Sequence, residues 1–303
     1  MRKAKDPGLG SKFNRPVKRI MNSDGSYNII RQGGLQGVQD FYKFLVDIKW
    51  YYFALLLFGG YLSINFLFAA AYLLIGVDYL HGLNEQLSDF ENAFYFSAQT
   101  FTTVGYGAVS PKSSGQNLLA VIESFTGLVY FAVATGLLYG RFSKPATKIA
   151  FSKNVIITPF DGGMAVMFKI VNLRNNVLLN TKVNSIITID ENSNQKGFNK
   201  QYFEVNLETD QVNFFPLTWT LVHKINSDSP FLNLSIDDLV SRHAELIILI
   251  ETFDETFSQT ILQKHSYGGV DFLDNVKFER SFDENEDGNI VLRIRDLNKV
   301  SPL

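Results

Sequence analysis

The sequence predicts an α-helical membrane module of two spans with a re-entrant pore helix between them, followed by an all-β sandwich of immunoglobulin-like type. Three observations carry that reading. The chain is free of charge from Trp50 to Val77, it has a second apolar run from Asn117 to Gly140 whose only charge is Glu123, and beyond Pro145 it changes to short alternating stretches separated by turn residues. A hydrocarbon core of ~30 Å is crossed by a helix of ~20 apolar residues, so both runs are long enough. A soluble helix apolar on every side is rare, which argues against a buried core in either place.

The elements follow in chain order. Residues 1–36 form a cytoplasmic N-terminal segment whose first dozen residues are polar and expected to be mobile. Residues 37–49 form an amphipathic helix, because Phe41, Phe44, Leu45 and Ile48 fall at helical spacing while Asp40, Lys43 and Asp47 lie elsewhere on the wheel. Trp50, Tyr51 and Tyr52 then supply an interfacial aromatic belt at the start of an outer helix over 50–77. The aromatic stretch Phe90 to Phe101 is too short to span, so a pore helix over 90–102 enters and stops inside the membrane, with its negative dipole end favouring a cation. An inner helix over 116–140 completes a pore domain of residues 50–145. From 146 to 303, alternating stretches such as 164–171, 183–189, 202–207 and 246–251, with turns at 161–163, 175–176 and 287–288, suggest antiparallel strands.

Between the pore helix and the inner helix stand Thr103, Val104, Gly105, Tyr106 and Gly107. Replacing the water shell of a potassium ion takes successive backbone carbonyls turned to one axis. Glycine at positions 105 and 107 reaches the required torsions without steric penalty. Thr103 adds a hydroxyl, while Val104 and Tyr106 pack the filter from behind. Four copies are needed to surround an ion, so a homotetramer is expected, with K+ in the filter as the transported ion and neither a cofactor nor another metal. The rival reading is a membrane-anchored β-sandwich receptor in which the five residues are a chance turn.

Nine Lys and Arg residues precede Lys49 up to Lys43, whereas the segment between the spans holds only Lys112, so both termini are expected in the cytoplasm. There is no cysteine and no apolar leader near the start, in keeping with a reducing interior. A net charge of −2 gives no reason to expect a nucleic-acid partner. No nucleophile, base and orienting residue stand at recognisable spacing, so an enzyme is not expected. Asp283 to Gly288 opens like a calcium loop, but Ile294 occupies the twelfth position, where a bidentate glutamate is needed.

The pore segment FSAQTFTTVGYG, the inner-helix ending ATGLLYGRFSKP, VDIKW before the first span, and Val222-His223-Lys224-Ile225 followed by Asp228-Ser229-Pro230 resemble the inward-rectifier potassium channels, above all their prokaryotic branch. The resemblance runs from about Arg19 to about Phe282. It implies a passive, selective K+ channel in a bacterial plasma membrane, with two membrane helices per subunit, a slide helix at the inner surface and a tetrameric cytoplasmic vestibule. Mg2+, Ba2+ and polyamines are the candidate blocking cations. Phe131 stands where strongly rectifying relatives carry an acid, which argues against strong block by polyamines or Mg2+.

Phe131, Thr135 and Tyr139 are spaced by four and share a helix face, a candidate hydrophobic gate, and Gly127 and Gly136 are candidate bending points. Gln99 and Ala108 stand where relatives often carry acids that brace the filter. Glu123 is the candidate replacement, facing the pore helix or the cavity, since a carboxylate in a span needs partners. Lys49, Arg141, Lys144 and Lys148 would gather near the cytosolic surface as an anionic-phospholipid site, at ~1 kcal/mol per cation; ordinary positive-inside topology explains them as well. By resemblance, the loop Thr252-Phe253-Asp254-Glu255 marks the cytoplasmic constriction, although it lacks the usual glycine.

Overall fold

The computed structural model describes residues 3–13, 17, 19–30, 32–33, 37–143, 148–191 and 198–303. The chain divides into two compact units, one of Gly33–Lys144 and one that joins Met1–Gln32 to Pro145–Leu303.

The first unit holds four helices: α1 (Val38–Asp47), α2 (Trp50–Ile75), α3 (Asp89–Phe101) and α4 (Ser114–Phe142). Local chemistry sets their ends. Ser88 accepts the Glu91 amide at 3.3 Å while the Glu91 carboxylate accepts the Ser88 amide at 2.9 Å, a reciprocal cap that starts α3 one residue before the expected position 90. Ser113 caps α4 through the Gln116 amide at 3.2 Å. Helix α2 ends at Ile75 rather than at 77 because Gly76 takes φ +112°, a torsion open to glycine. Helices α2 and α4 are long and apolar enough to cross a membrane. The unit buries two small clusters, Ala69, Tyr72, Leu80, Ala93 and Phe96 in one, and Leu45, Val46, Phe53 and Leu137 in the other. Leu55, Phe58, Leu67, Leu74, Val121 and Phe125 stay exposed, as suits a surface solvated by lipid.

The second unit is a two-sheet sandwich. In the larger sheet, strands Phe198–Glu204, Leu178–Glu191, Glu245–Asp254 and Gln259–Gly268 lie side by side and antiparallel. The smaller sheet orders Thr218–Ile225, Gly163–Asn172, Val155–Phe160 and Phe272–Asp274. Its last pair is parallel, the one departure among these sheets from the antiparallel expectation. Alternation along the strands sends Val166, Phe168, Ile170 and Leu221 from one sheet, and Val183, Ile187, Leu246 and Ile248 from the other, into a single core.

Parts of the N-terminal segment are paired into the larger sheet. Lys3–Ala4 and Lys12–Phe13 pair with Phe198–Glu204, extending the larger sheet, and the Asp6 carboxylate closes the intervening turn on the amides of Gly8, Leu9 and Gly10. Further on, the amides of Ile20 and Met21 donate to the fully buried Glu245 carboxylate at 2.7 and 2.8 Å. These residues group with the sandwich unit.

Candidate functional site: a pore loop with its bracing

The pore loop grows out of the C-terminal end of α3. The Ala98, Thr100 and Gln99 carbonyls accept the amides of Thr102, Thr103 and Val104 at 3.2, 3.1 and 2.9 Å, so the helix unwinds over the loop that follows. Thr103, Gly105 and Gly107 take φ of +60°, +51° and +78°, whereas Val104 and Tyr106 keep negative φ. A backbone that alternates handedness turns successive carbonyls to one side and amides to the other. Two of the three left-handed positions are glycines, where that torsion is free of strain. Val104 and Tyr106 are 52% and 78% exposed in the single chain.

Behind the loop sits Glu123. It is completely buried and lies within hydrogen-bond distance of the Ser97 hydroxyl on α3, while the Tyr72 hydroxyl on α2 donates to it at 2.8 Å. The Ser97 hydroxyl also lies 3.0 Å from Asn65 Oδ1. One carboxylate thus joins three helices. Gln99, by contrast, acts through its carbonyl toward Val104. Tyr72, Ser97 and Asn65 were missed from sequence. Asn65, Ala69 and Tyr72 at helical spacing in a charge-free run were the available signal, since polar groups in a span need partners.

Helix α4 is continuous through both candidate bending points. A Cβ at Gly127 would fall on the Phe101 carbonyl, so close packing against the end of the pore helix requires glycine there, while Gly136 borders open space. Phe131, Thr135 and Tyr139 are all exposed along one face, with Tyr139 at 74%.

Among the basic residues, Arg141 donates to the carbonyls of Leu45, Val46 and Ile48 at 2.7, 3.1 and 2.6 Å, and stands over the rings of Trp50 and Phe53. It ties the end of α1 to α4. Lys49 is exposed beside Tyr51, Lys148 is exposed in the other unit, and Lys144 lies outside the described residues.

The expected loop Thr252 to Glu255 is mostly strand. Thr252, Phe253 and Asp254 complete the strand Glu245–Asp254, and only Glu255 enters the turn. The strand outlasts its apolar residues because the Thr252 hydroxyl meets that of Thr181 at 2.8 Å. The Asp254 carboxylate accepts Asn176 Nδ2 and the Thr256 amide, both at 2.9 Å. His223 bonds the Asn206 carbonyl through Nδ1 at 2.7 Å and Ser229 Oγ through Nε2 at 2.8 Å, and burial pushes it below the ordinary histidine value. Among the described residues there is no group of three metal-ligating side chains.

Two membrane-length helices around a short helix that ends in a loop of alternating handedness are the parts of an ion-channel pore, and residues 48–144 match the family model described as Ion channel. Residues 149–302 match the model of the inward rectifier potassium channel C-terminal domain. The inward rectifier potassium channel Kirbac3.1 of Paramagnetospirillum magnetotacticum is 32% identical over 285 residues, 93% of this chain and 96% of the relative. G protein-activated inward rectifier potassium channel 4 of Bos taurus is 27% identical, over 88% of this chain and 68% of the relative, and channel 2 of Mus musculus is 26% identical over 87% and 67%. The chain belongs to the inward rectifier potassium channel family and is a membrane potassium channel of the bacterial kind.

Proposed function

We propose that four copies of this chain surround one axis and pass K+ selectively and passively across a bacterial inner membrane, with both termini in the cytoplasm. The observation that supports this best is the alternation of φ along Thr103 to Gly107. Carbonyls aligned by that alternation, repeated four times, form oxygen cages that replace ion hydration. The Glu123 clamp to Tyr72 and Ser97 supports the pore helix from behind, in the place of the acids that Gln99 and Ala108 lack.

Phe131, Thr135 and Tyr139 gate the pore by dewetting when four exposed faces converge, and Gly136 has the space to let α4 bend. Anionic phospholipid acts at the α1 to α2 junction, where Lys49 is free to meet a headgroup while Arg141 holds the junction to α4. Lys144 and Lys148 are further cations of the sequence that an anionic surface would attract. The apolar Phe131 ring weakens block by Mg2+ and polyamines, and leaves Ba2+, which resembles K+ in size, as the effective blocker.

Rubidium uptake into potassium-loaded liposomes tests this. Uptake that barium blocks and sodium does not compete is expected. A Cβ at Gly105 costs about 1–2 kcal/mol per copy in the left-handed region, so Gly105→Ala should abolish the uptake. Undiminished uptake by the variant would remove the filter assignment, and absence of flux from the wild type across lipid compositions would favour a non-conducting receptor.

A further inference from the structure

The strand Gly163–Asn172 is apolar on both faces from Ala165 to Val171 except at Lys169, which is only 5% exposed. Its neighbours on the same face, Ala165 and Met167, pack with Ile156 beneath Phe278 and Val300 on the outer side of the smaller sheet. A buried ammonium is costly without a counter-charge. Lys169 donates to the Glu279 carbonyl and to Ser281 Oγ at 3.2 Å, and its nitrogen lies 5.1 Å from the centre of the Phe278 ring. These partners are neutral, and an ammonium has three N–H groups. Among the described residues, the third has no acceptor and no carboxylate stands within ion-pair distance. Burial pushes the group below the ordinary lysine value, with the Glu279 charge opposing.

Beside this ammonium lies a cavity of about 440 Å³ lined by Lys169, Lys277, Arg280 and Glu279, with Arg280 also paired to Glu284 at 3.1 Å. Among the other lining residues, Thr158 and Thr220 bring hydroxyls and Met167 an apolar side chain. The volume falls in the range of small-molecule sites. A buried ammonium with an unused N–H, the exposed Lys277 charge, hydroxyls and an apolar wall fit one ligand chemistry, a phosphoryl group carried on an apolar body.

We propose that this cavity binds a small organic phosphate, whose phosphoryl oxygens take the third Lys169 N–H and the charges of Lys277 and Arg280 while its apolar part lies on Met167 and Phe278. The source is a free metabolite or a lipid headgroup, which share this chemistry.

Calorimetric titration of the full-length channel in detergent with phenyl phosphate, inorganic phosphate and dihexanoyl phosphatidate tests it. Phenyl phosphate should bind more tightly than inorganic phosphate. Its affinity should fall about tenfold or more in Lys169→Met, the effect of losing one charge-assisted bond, and survive in Lys169→Arg. The exposed pair Lys277→Gln with Arg280→Gln should weaken it severalfold without moving the unfolding midpoint, which keeps the test decisive even if Lys169→Met does not fold. Phosphatidate binding above or below phenyl phosphate supports the site and identifies its source as lipid or free metabolite. Absence of binding by all three probes, or unchanged affinity in the folded double variant, would overturn the proposal.

Discussion

Glu123 and Asp190 are both buried carboxylates, yet the two units stabilise them by opposite means. Glu123, in the helical unit, is surrounded by the hydroxyls of Tyr72 and Ser97. Asp190, in the sandwich, lies 3.1 Å from Lys200 Nζ and 3.1 Å from His243 Nδ1, and neither of its oxygens makes a well-directed hydrogen bond. The helical unit has small cores and an apolar outer surface, so neutral hydroxyls that cost little to desolvate fasten its helices together. The sandwich has one large core and shelters a charge pair at its edge. Glu245, fully buried in the same sandwich on the amides of Ile20 and Met21, shows that neutral donors serve there too, so the contrast belongs to these two carboxylates rather than to their units.

The comparison breaks most readily at Asp190. Removing it leaves Lys200, whose side chain is 1% exposed, without its carboxylate, so Asp190→Ala should lower unfolding stability by about 3–5 kcal/mol. Thermal denaturation of the full-length protein measures this, and a loss below about 1 kcal/mol would erase the contrast. Glu123→Leu should cost less, about 1–3 kcal/mol, because Tyr72 is left without its acceptor while Ser97 keeps Asn65 Oδ1 at 3.0 Å, and Glu123→Gln keeps an acceptor for Tyr72 and preserves most of the stability and rubidium flux. Equal damage from both substitutions would mean that charge rather than hydrogen bonding matters at this place.

Arg141→Lys sharpens the comparison within the helical unit. It keeps the charge but loses the planar fork and its ring stacking, and should cost about 1–2 kcal/mol with a weaker hold of α1 on α4. The smallest effect belongs to His265, whose value burial lowers to about 4, with Arg19 lowering it further and the Ser23 backbone and Asp271 opposing. The unfolded chain binds the proton first, so the sandwich loses stability as pH falls from 6.5 toward 4. His265→Phe should retain the stacking on Phe151, 4.2 Å between ring centres, and flatten the pH dependence of the unfolding midpoint over that window. An unchanged slope would assign the acid sensitivity elsewhere.

The spans and the left-handed turns at Gly105 and Gly107 were legible because each rests on a local rule: absence of charge over a membrane thickness, and glycine where φ is positive. The strands of the sandwich showed through alternation. What escaped depends on partners distant in sequence. Lys3–Ala4 is too short and polar to declare itself a strand, and Tyr72 looks like any aromatic residue in a span until Glu123 is placed beside it. Thr252 and Asp254 read as loop because the polar contacts that satisfy them come from Thr181 and Asn176, on another stretch of chain.

Lys3 pairs with Phe203, 200 positions later. At a synthesis rate of about 5–20 residues per second, the first strand of the sandwich waits roughly 10–40 s on the ribosome for its partner, while the whole helical unit emerges in between. The membrane insertion machinery therefore handles both spans before the sandwich is able to close, and an N-terminus held away by another protein during that interval would leave the edge of Phe198–Glu204 open to intermolecular strand pairing.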